Sequence, residues 1–214
     1  VKVTDDVEKA LKNAQVLLDF TSPASTMAAL GICAKMKVAD VIGTTGIDDE
    51  QQKLIAKHSK KIPVVFAPNM SLGVNLLAKL VEQAAKALGA AFDIEIVEAH
   101  HRHKADSPSG TAFLLARAAA KARGLELDKV GVYGRHGKIG ARTGEEIGIM
   151  ALRGGDIVGE HTVMLAGPGE RIELTHRAHS RETFAQGAVR AAKWLVGKKP
   201  ALYSMMDVLG LNAK

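Results

Sequence analysis

Residues 98 to 112 read Glu-Ala-His-His-Arg-His-Lys-Ala-Asp-Ser-Pro-Ser-Gly-Thr-Ala and gather the densest usable chemistry in the 214-residue chain. His100, His101 and His103 change charge near neutrality, and Lys104 adds a full positive charge, so the segment is equipped to neutralise an anion and to donate a proton. Pro108 excludes helix, and Ser109-Gly110-Thr111 reads as the start of a new one. The first N–H groups of a helix lack intrahelical partners, and such a terminus suits a carboxylate or a phosphate. The pattern points to a receptor for an anionic substrate with proton donors beside it.

The flanking residues supply the elements that must hold this segment. Phe92-Asp-Ile-Glu-Ile-Val97 alternates apolar and polar, which predicts a strand delivering His100 and His101 at its C-terminal end. Thr111 to Arg123 is rich in Ala and Leu and stops at Gly124, which predicts a helix with a glycine cap. Upstream, strands at 16–20, 38–42 and 62–67 interleave with helices at 24–36, 48–60 and 71–88. Apolar strands separated by helices imply a parallel sheet covered on both faces, the doubly wound α/β class. Ligands of such sheets bind beyond the C-terminal strand ends, here Phe20-Thr21, Gly43-Thr44-Thr45 and Ala67-Pro68-Asn69-Met70. Glycine and threonine at such turns also serve plain turn chemistry.

Downstream, strands at 130–133, 147–153, 157–165 and 172–178 are separated by glycine-rich turns with no long helix between them. That predicts an α+β unit with a mainly antiparallel sheet, one face covered by residues 100–123. Arg181 to Leu195 reads as an amphipathic helix that Ser180 could cap, with a tail through Leu211.

Composition narrows the classes. Aromatic residues make up 4% of the chain, too few for a platform that stacks single-stranded nucleic acid. The net charge of +6 is spread along the chain with no basic run, so no nucleic acid is expected as partner. Cys33 is the only cysteine and falls in an apolar helical pattern, which excludes a disulfide framework and favours a reducing, cytoplasmic setting. No signal peptide and no apolar run of membrane-spanning length is present, so no membrane is expected. Two other classes compete with an enzyme. A metal site at His100, His101 and His103 is disfavoured because adjacent strand residues point to opposite faces and Arg102 and Lys104 repel a cation. A basic nucleic-acid-binding module would need a continuous basic face.

Residues 98–112 match the signature Glu-Ala-His-His-x-x-Lys-x-Asp-x-Pro-Ser-Gly-Thr-Ala, and the chain thereby resembles the dihydrodipicolinate (4-hydroxy-tetrahydrodipicolinate) reductases of lysine and diaminopimelate biosynthesis. The likeness extends to Asp19-Phe-Thr-Ser-Pro23, Gly43-Thr-Thr-Gly46, Ala67-Pro-Asn-Met-Ser71, Arg153 to His161 and Ala188 to Leu211. It implies NADPH or NADH as cofactor, held at Phe20, Thr21, Gly43, Thr44, Thr45 and Ala67 to Met70. It implies hydride transfer to C4 of a cyclic unsaturated imine dicarboxylate, bound by His101, Lys104, Gly110 and Thr111. His100 and Lys104 would handle the proton, and no metal is implied. The same resemblance implies a discontinuous, Rossmann-like dinucleotide domain over 1–71 and 181–214, a substrate and oligomerisation domain over 72–180, hinges near 71 and 180, and a homotetramer. The family's Gly-x-x-Gly-x-x-Gly turn is not in this sequence, so the dinucleotide domain is expected to be N-terminally incomplete, and a truncated inactive fragment is a further reading. His103, His136, His161, His176 and His179 are expected outside the chemistry, with His161 and His176 in satisfied hydrogen bonds on the sheet.

Overall fold

The computed structural model describes residues 3–212; positions 1, 2, 213 and 214, which the expected domain bounds include, lie outside the described residues. Along the chain run α1 (Val7–Leu11), β1 (Val16–Asp19), α2 (Pro23–Met36), β2 (Ala39–Ile42), α3 (Asp49–His58), β3 (Pro63–Phe66) and α4 (Leu72–Leu88). There follow β4 (Asp93–His100), α5 (Gly110–Ala122), α6 (Leu127–Val130), β5 (Gly131–Val132), β6 (Ile147–Arg153), β7 (Gly159–Gly167), β8 (Glu170–Ala178), α7 (Glu182–Leu195), β9 (Ala201–Tyr203) and α8 (Met205–Leu209). The chain divides into two compact units, with crossings between Leu72 and Gly73 and between Arg181 and Glu182.

The first unit is a parallel sheet in the order β1-β2-β3-β9. Successive residues of a strand face opposite ways, and both faces are covered. Val41 and Val65 pack with Ala188, Ala191 and Leu195 of α7 and Val208 of α8. Ile42 and Val64 pack with Leu30 and Cys33 of α2 and Ile55 of α3. The helices start where their sequence says they should: Ser22 caps α2 with Pro23 behind it, and Asp48 with Gln51 forms a capping box on α3. This is the expected doubly wound arrangement. Sequence patterning did not announce α1, β9 or α8, where a tail was expected. Each is three to five residues long, too short for a period to emerge.

The second unit carries a five-stranded sheet, β5-β6-β4-β7-β8. It is mixed: β7 runs antiparallel to β4 and to β8, as expected, whereas β6 runs parallel to β4 and to β5. The parallel half follows from α5, which lies between β4 and β5 in the chain and so makes their connection a crossover. Helix α5 covers β4, β6 and β7 with Leu115, Ala116 and Ala119, all fully buried. Strand β4 reaches His100, three residues past its expected end, because Glu98 and Ala99 keep pairing with both neighbours.

Candidate functional site

In β4 the buried positions are Ile94, Ile96, Glu98 and His100, one side of the pleat. Two apolar side chains and then two ionisable ones point into the same interior, and an ionised group there must be paired. Glu98 is fully buried and saturated with donors. Arg153, at the end of β6, donates through Nη1 to Oε2 and through Nη2 to Oε1, both at 2.8 Å. The Ser109 backbone N–H donates to Oε1 at 2.9 Å, and His100 Nδ1 lies 2.6 Å from Oε2. Burial alone would push the Glu98 carboxyl up; Arg153, His100 and the Ser109 N–H outweigh it and hold it below the usual carboxylate range.

His100 moves the opposite way from a simple ion pair. Burial depresses its pKa and outweighs the attraction of Glu98, with Lys104 and Arg153 adding repulsion. The ring is therefore neutral near pH 7. Because only a donor satisfies Glu98, the network assigns the proton to Nδ1 and leaves a lone pair on Nε2. Gly159 of β7 faces that nitrogen, and a Cβ there would stand 3.1 Å from it.

His161, opposite Glu98 across β4 and β7, completes the cluster. Its ring meets that of His100 edge-on with centroids 5.1 Å apart, and its Nε2 shares a hydrogen bond with Ser109 Oγ at 2.9 Å. Desolvation, with repulsion from His100, pushes His161 down to about 4. The expectation of satisfied hydrogen bonds therefore holds only for Nε2, since buried Nδ1 has no partner among the described residues. Ser109 Oγ also accepts from the Ala112 N–H at 3.1 Å, so one side chain caps α5 and touches the histidine cluster.

The remaining predicted residues lie around this core. Lys104 is largely covered and pairs with Asp106 at 2.8 Å, while its charge acts on both His100 and His161. Gly110 is exposed at the start of α5 and faces open space. His101 is tied by its backbone to Ile157 at 2.7 Å and lines a cleft of about 390 Å³ with His103, Asp156 and Arg181. Lys104, Gly110 and Thr111 lie outside that lining. Three members of the cluster were missed in the sequence, Glu98, Arg153 and His161, and Ser109, expected only as the start of a helix, joins them. The alternation Ile94, Ile96, Glu98, His100 was a signal for Glu98, whereas Arg153 and His161 are brought in by strand register.

In the first unit, the candidate cofactor residues stand at the C-terminal ends of β1, β2 and β3. Phe20, Thr21, Thr45 and Pro68 are exposed there, and Asn69 is half-buried. A Cβ on Gly43 would collide with the Phe20 ring, so the bare backbone lets that ring lie against the strand end. The Thr44 side chain turns inward, accepting from Thr26 Oγ1 at 2.8 Å and from the Thr21 N–H at 3.0 Å. Thr44 thus leaves only its backbone for a ligand, and Ala67 and Met70 are core residues. Asn69 Oδ1 accepts from the Ser71 N–H at 2.8 Å and shapes the turn into α4.

Comparison with known proteins bears on both units. The profile "Dihydrodipicolinate reductase, N-terminus" matches residues 1–70, and "Dihydrodipicolinate reductase, C-terminus" matches residues 73–209. The chain is 58% identical over 212 residues to the 4-hydroxy-tetrahydrodipicolinate reductase of Thiobacillus denitrificans, covering 99% of itself and 79% of that protein. It is 52% identical over 212 residues to that of Psychrobacter arcticus, covering 99% of itself and 76% of that protein. Among solved structures, the dipicolinate-bound dihydrodipicolinate reductase from Paenisporosarcina sp. TG-14 superposes with a TM-score of 0.76 at 28% identity, over 95% of this chain and 77% of that one. A parallel sheet with its helices, a mixed sheet carrying the buried Glu98-His100 pair, and matches across both units make this chain a member of the dihydrodipicolinate reductase family.

Proposed function

We propose that the protein reduces 4-hydroxy-tetrahydrodipicolinate or dihydrodipicolinate, a cyclic unsaturated imine dicarboxylate, to tetrahydrodipicolinate with NADPH or NADH, as a step of lysine and diaminopimelate biosynthesis. The observation that carries this is the neutral His100, its Nε2 unprotonated, held on Glu98 beside the start of α5 and near the charge of Lys104. A substrate with two carboxylates calls for fixed positive partners. Lys104 offers a point charge, the N-terminus of α5 at Gly110 and Thr111 offers N–H groups and a hydroxyl, and His101 offers a ring contact.

The first unit suits a dinucleotide at its strand ends: Phe20, Thr21 and Thr45 are exposed, and the bare backbone of Gly43 lets the Phe20 ring lie flat against the strand end beside them. When bound, the nicotinamide supplies the hydride. The chain's own residues orient the substrate and manage one proton. Reduction of a conjugated imine leaves a carbon or nitrogen to be protonated; Lys104 carries a proton as an ammonium, and His100 Nε2 is an acceptor that can take and return one. By family likeness the working form is a cytoplasmic homotetramer, with residues 72–180 binding substrate and joining subunits, and 1–71 with 181–214 holding the cofactor.

Steady-state kinetics of His100→Gln and Lys104→Ala test the assignment, with cofactor titration alongside. Each substitution lowers kcat by about 10²- to 10⁴-fold while cofactor affinity stays near wild type. Pyridine-2,6-dicarboxylate competes with substrate in the wild type. A kcat within a few-fold of wild type in both variants would reduce these residues to positioning groups.

A further inference from the structure

One buried carboxylate serves two elements of the site at once. Glu98 holds His100 through Nδ1 at 2.6 Å and holds the Ser109 backbone N–H, at the cap of α5, at 2.9 Å. We infer that Glu98, with Arg153 clamped on it, is the positioning residue of this site: it fixes His100 in the Nδ1–H form so that Nε2, beside the bare backbone of Gly159, is left as the acceptor, and it pins the start of α5, the proposed anion site, to the same point. The inference rests on the functional reading of His100 and α5 given above.

What marks this ion pair is which groups complete it. Arg153 fills one acceptor position on each oxygen, and any neutral donor could fill the other two, while a well-packed apolar pair in place of both residues would cost little stability. Here the second hydrogen bond on each oxygen comes from the two elements of the site, one from the histidine and one from the helix cap. The groups facing the pair are Lys104 and Asp106 from the loop after β4, Arg153 from β6, and His161 from β7, with His176 of β8 behind His161. The cationic ones oppose a proton on His100, so Glu98 is the group that makes the imidazolium accessible. It does so without taking the proton, since Arg153 keeps it charged.

The test combines a histidine side-chain NMR titration of the whole ligand-free chain with steady-state kinetics. In Glu98→Gln, His100 titrates at lower pH than in the wild type, kcat at neutral pH falls about 10- to 100-fold, and KM for the nicotinamide cofactor is unchanged. Glu98→Asp restores the charge and part of both effects. Should Glu98→Gln fail to fold with Arg153 left unpaired, Glu98→Leu with Arg153→Met removes both charges together, and there the His100 proton leaves Nδ1 for Nε2. An unchanged His100 titration in folded Glu98→Gln, or an unchanged tautomer in the double variant, overturns the inference. A moved titration with unchanged kcat upholds the positioning role and overturns proton handling by His100 instead.

Discussion

The two units each bury a carboxylate completely and treat it in opposite ways. Glu98 in the mixed sheet accepts from Arg153, His100 and Ser109, and it stays ionised. Asp40 in the parallel sheet is equally inaccessible, yet neither of its oxygens has a hydrogen-bond partner among the described residues. Burial, with repulsion from Asp19, pushes Asp40 up to about 8. Asp19 itself is half-provided for: Oδ1 accepts from Thr21 Oγ1 at 2.6 Å, and Oδ2 has no partner among the described residues. Equal burial therefore says nothing about charge; the donors within reach decide it.

The largest effect expected from this contrast comes from stripping Glu98 of its clamp. Arg153→Met leaves the carboxylate buried against a neutral histidine, and a urea titration should show a loss of about 3 kcal/mol or more, the usual cost of orphaning one member of a buried pair. A loss below about 1 kcal/mol would place Glu98 in the same class as Asp40.

Asp40→Asn should act in the other direction and only over part of the pH range. A carboxyl whose folded pKa is raised binds protons in the native state that the unfolded chain has released, so wild-type stability falls as pH rises from about 4, the usual carboxylate value, to about 8. His161, pushed down to about 4, contributes the opposite slope between about 4 and 6.5 and is unchanged by the substitution. Asp40→Asn should match the wild type near pH 4 and exceed it by about 1–4 kcal/mol above pH 8, read from denaturation midpoints across pH. A constant offset at every pH would mean that Asp40 is not the titrating group.

The smallest effect is at the helix cap. Ser109→Ala removes the hydroxyl that caps α5 and meets His161, and it leaves the backbone N–H on Glu98 intact. Stability should drop by about 1 kcal/mol, as for other lost caps. Dicarboxylate affinity measured by calorimetry should weaken only a few-fold, whereas a stability loss as large as that of Arg153→Met would show that the cap, and not the clamp on Glu98, holds this corner of the unit together.

Much of this was readable in the chain and some of it was not, for identifiable reasons. The strands and helices of the parallel unit follow from apolar runs, caps and glycine turns, because local patterning and the doubly covered sheet demand the same residues. His100 and Lys104 stand in one contiguous segment, and so does the Ser109 cap. Glu98 shares a face with His100 by simple alternation, which is a local signal, but its partners are not local. Arg153 and His161 depend on β6 and β7 lying on either side of β4, which no local pattern specifies. The parallel half of the second sheet is hidden in the sequence for a related reason: α5 both covers the sheet and serves as its crossover, and apolar patterning reports only the first.

Gly187 of α7 carries a consequence for the other end of the chain. Any Cβ at that position would strike the backbone carbonyl of Met70. A glycine inside a helix costs roughly 1 kcal/mol relative to alanine, and α7 bears that cost so that the segment after β3 can lie directly against its axis. The course of Ala67 to Met70 is thus set by an atom missing from a residue more than a hundred positions later. A methyl group there would reshape a candidate cofactor loop without itself being part of that loop.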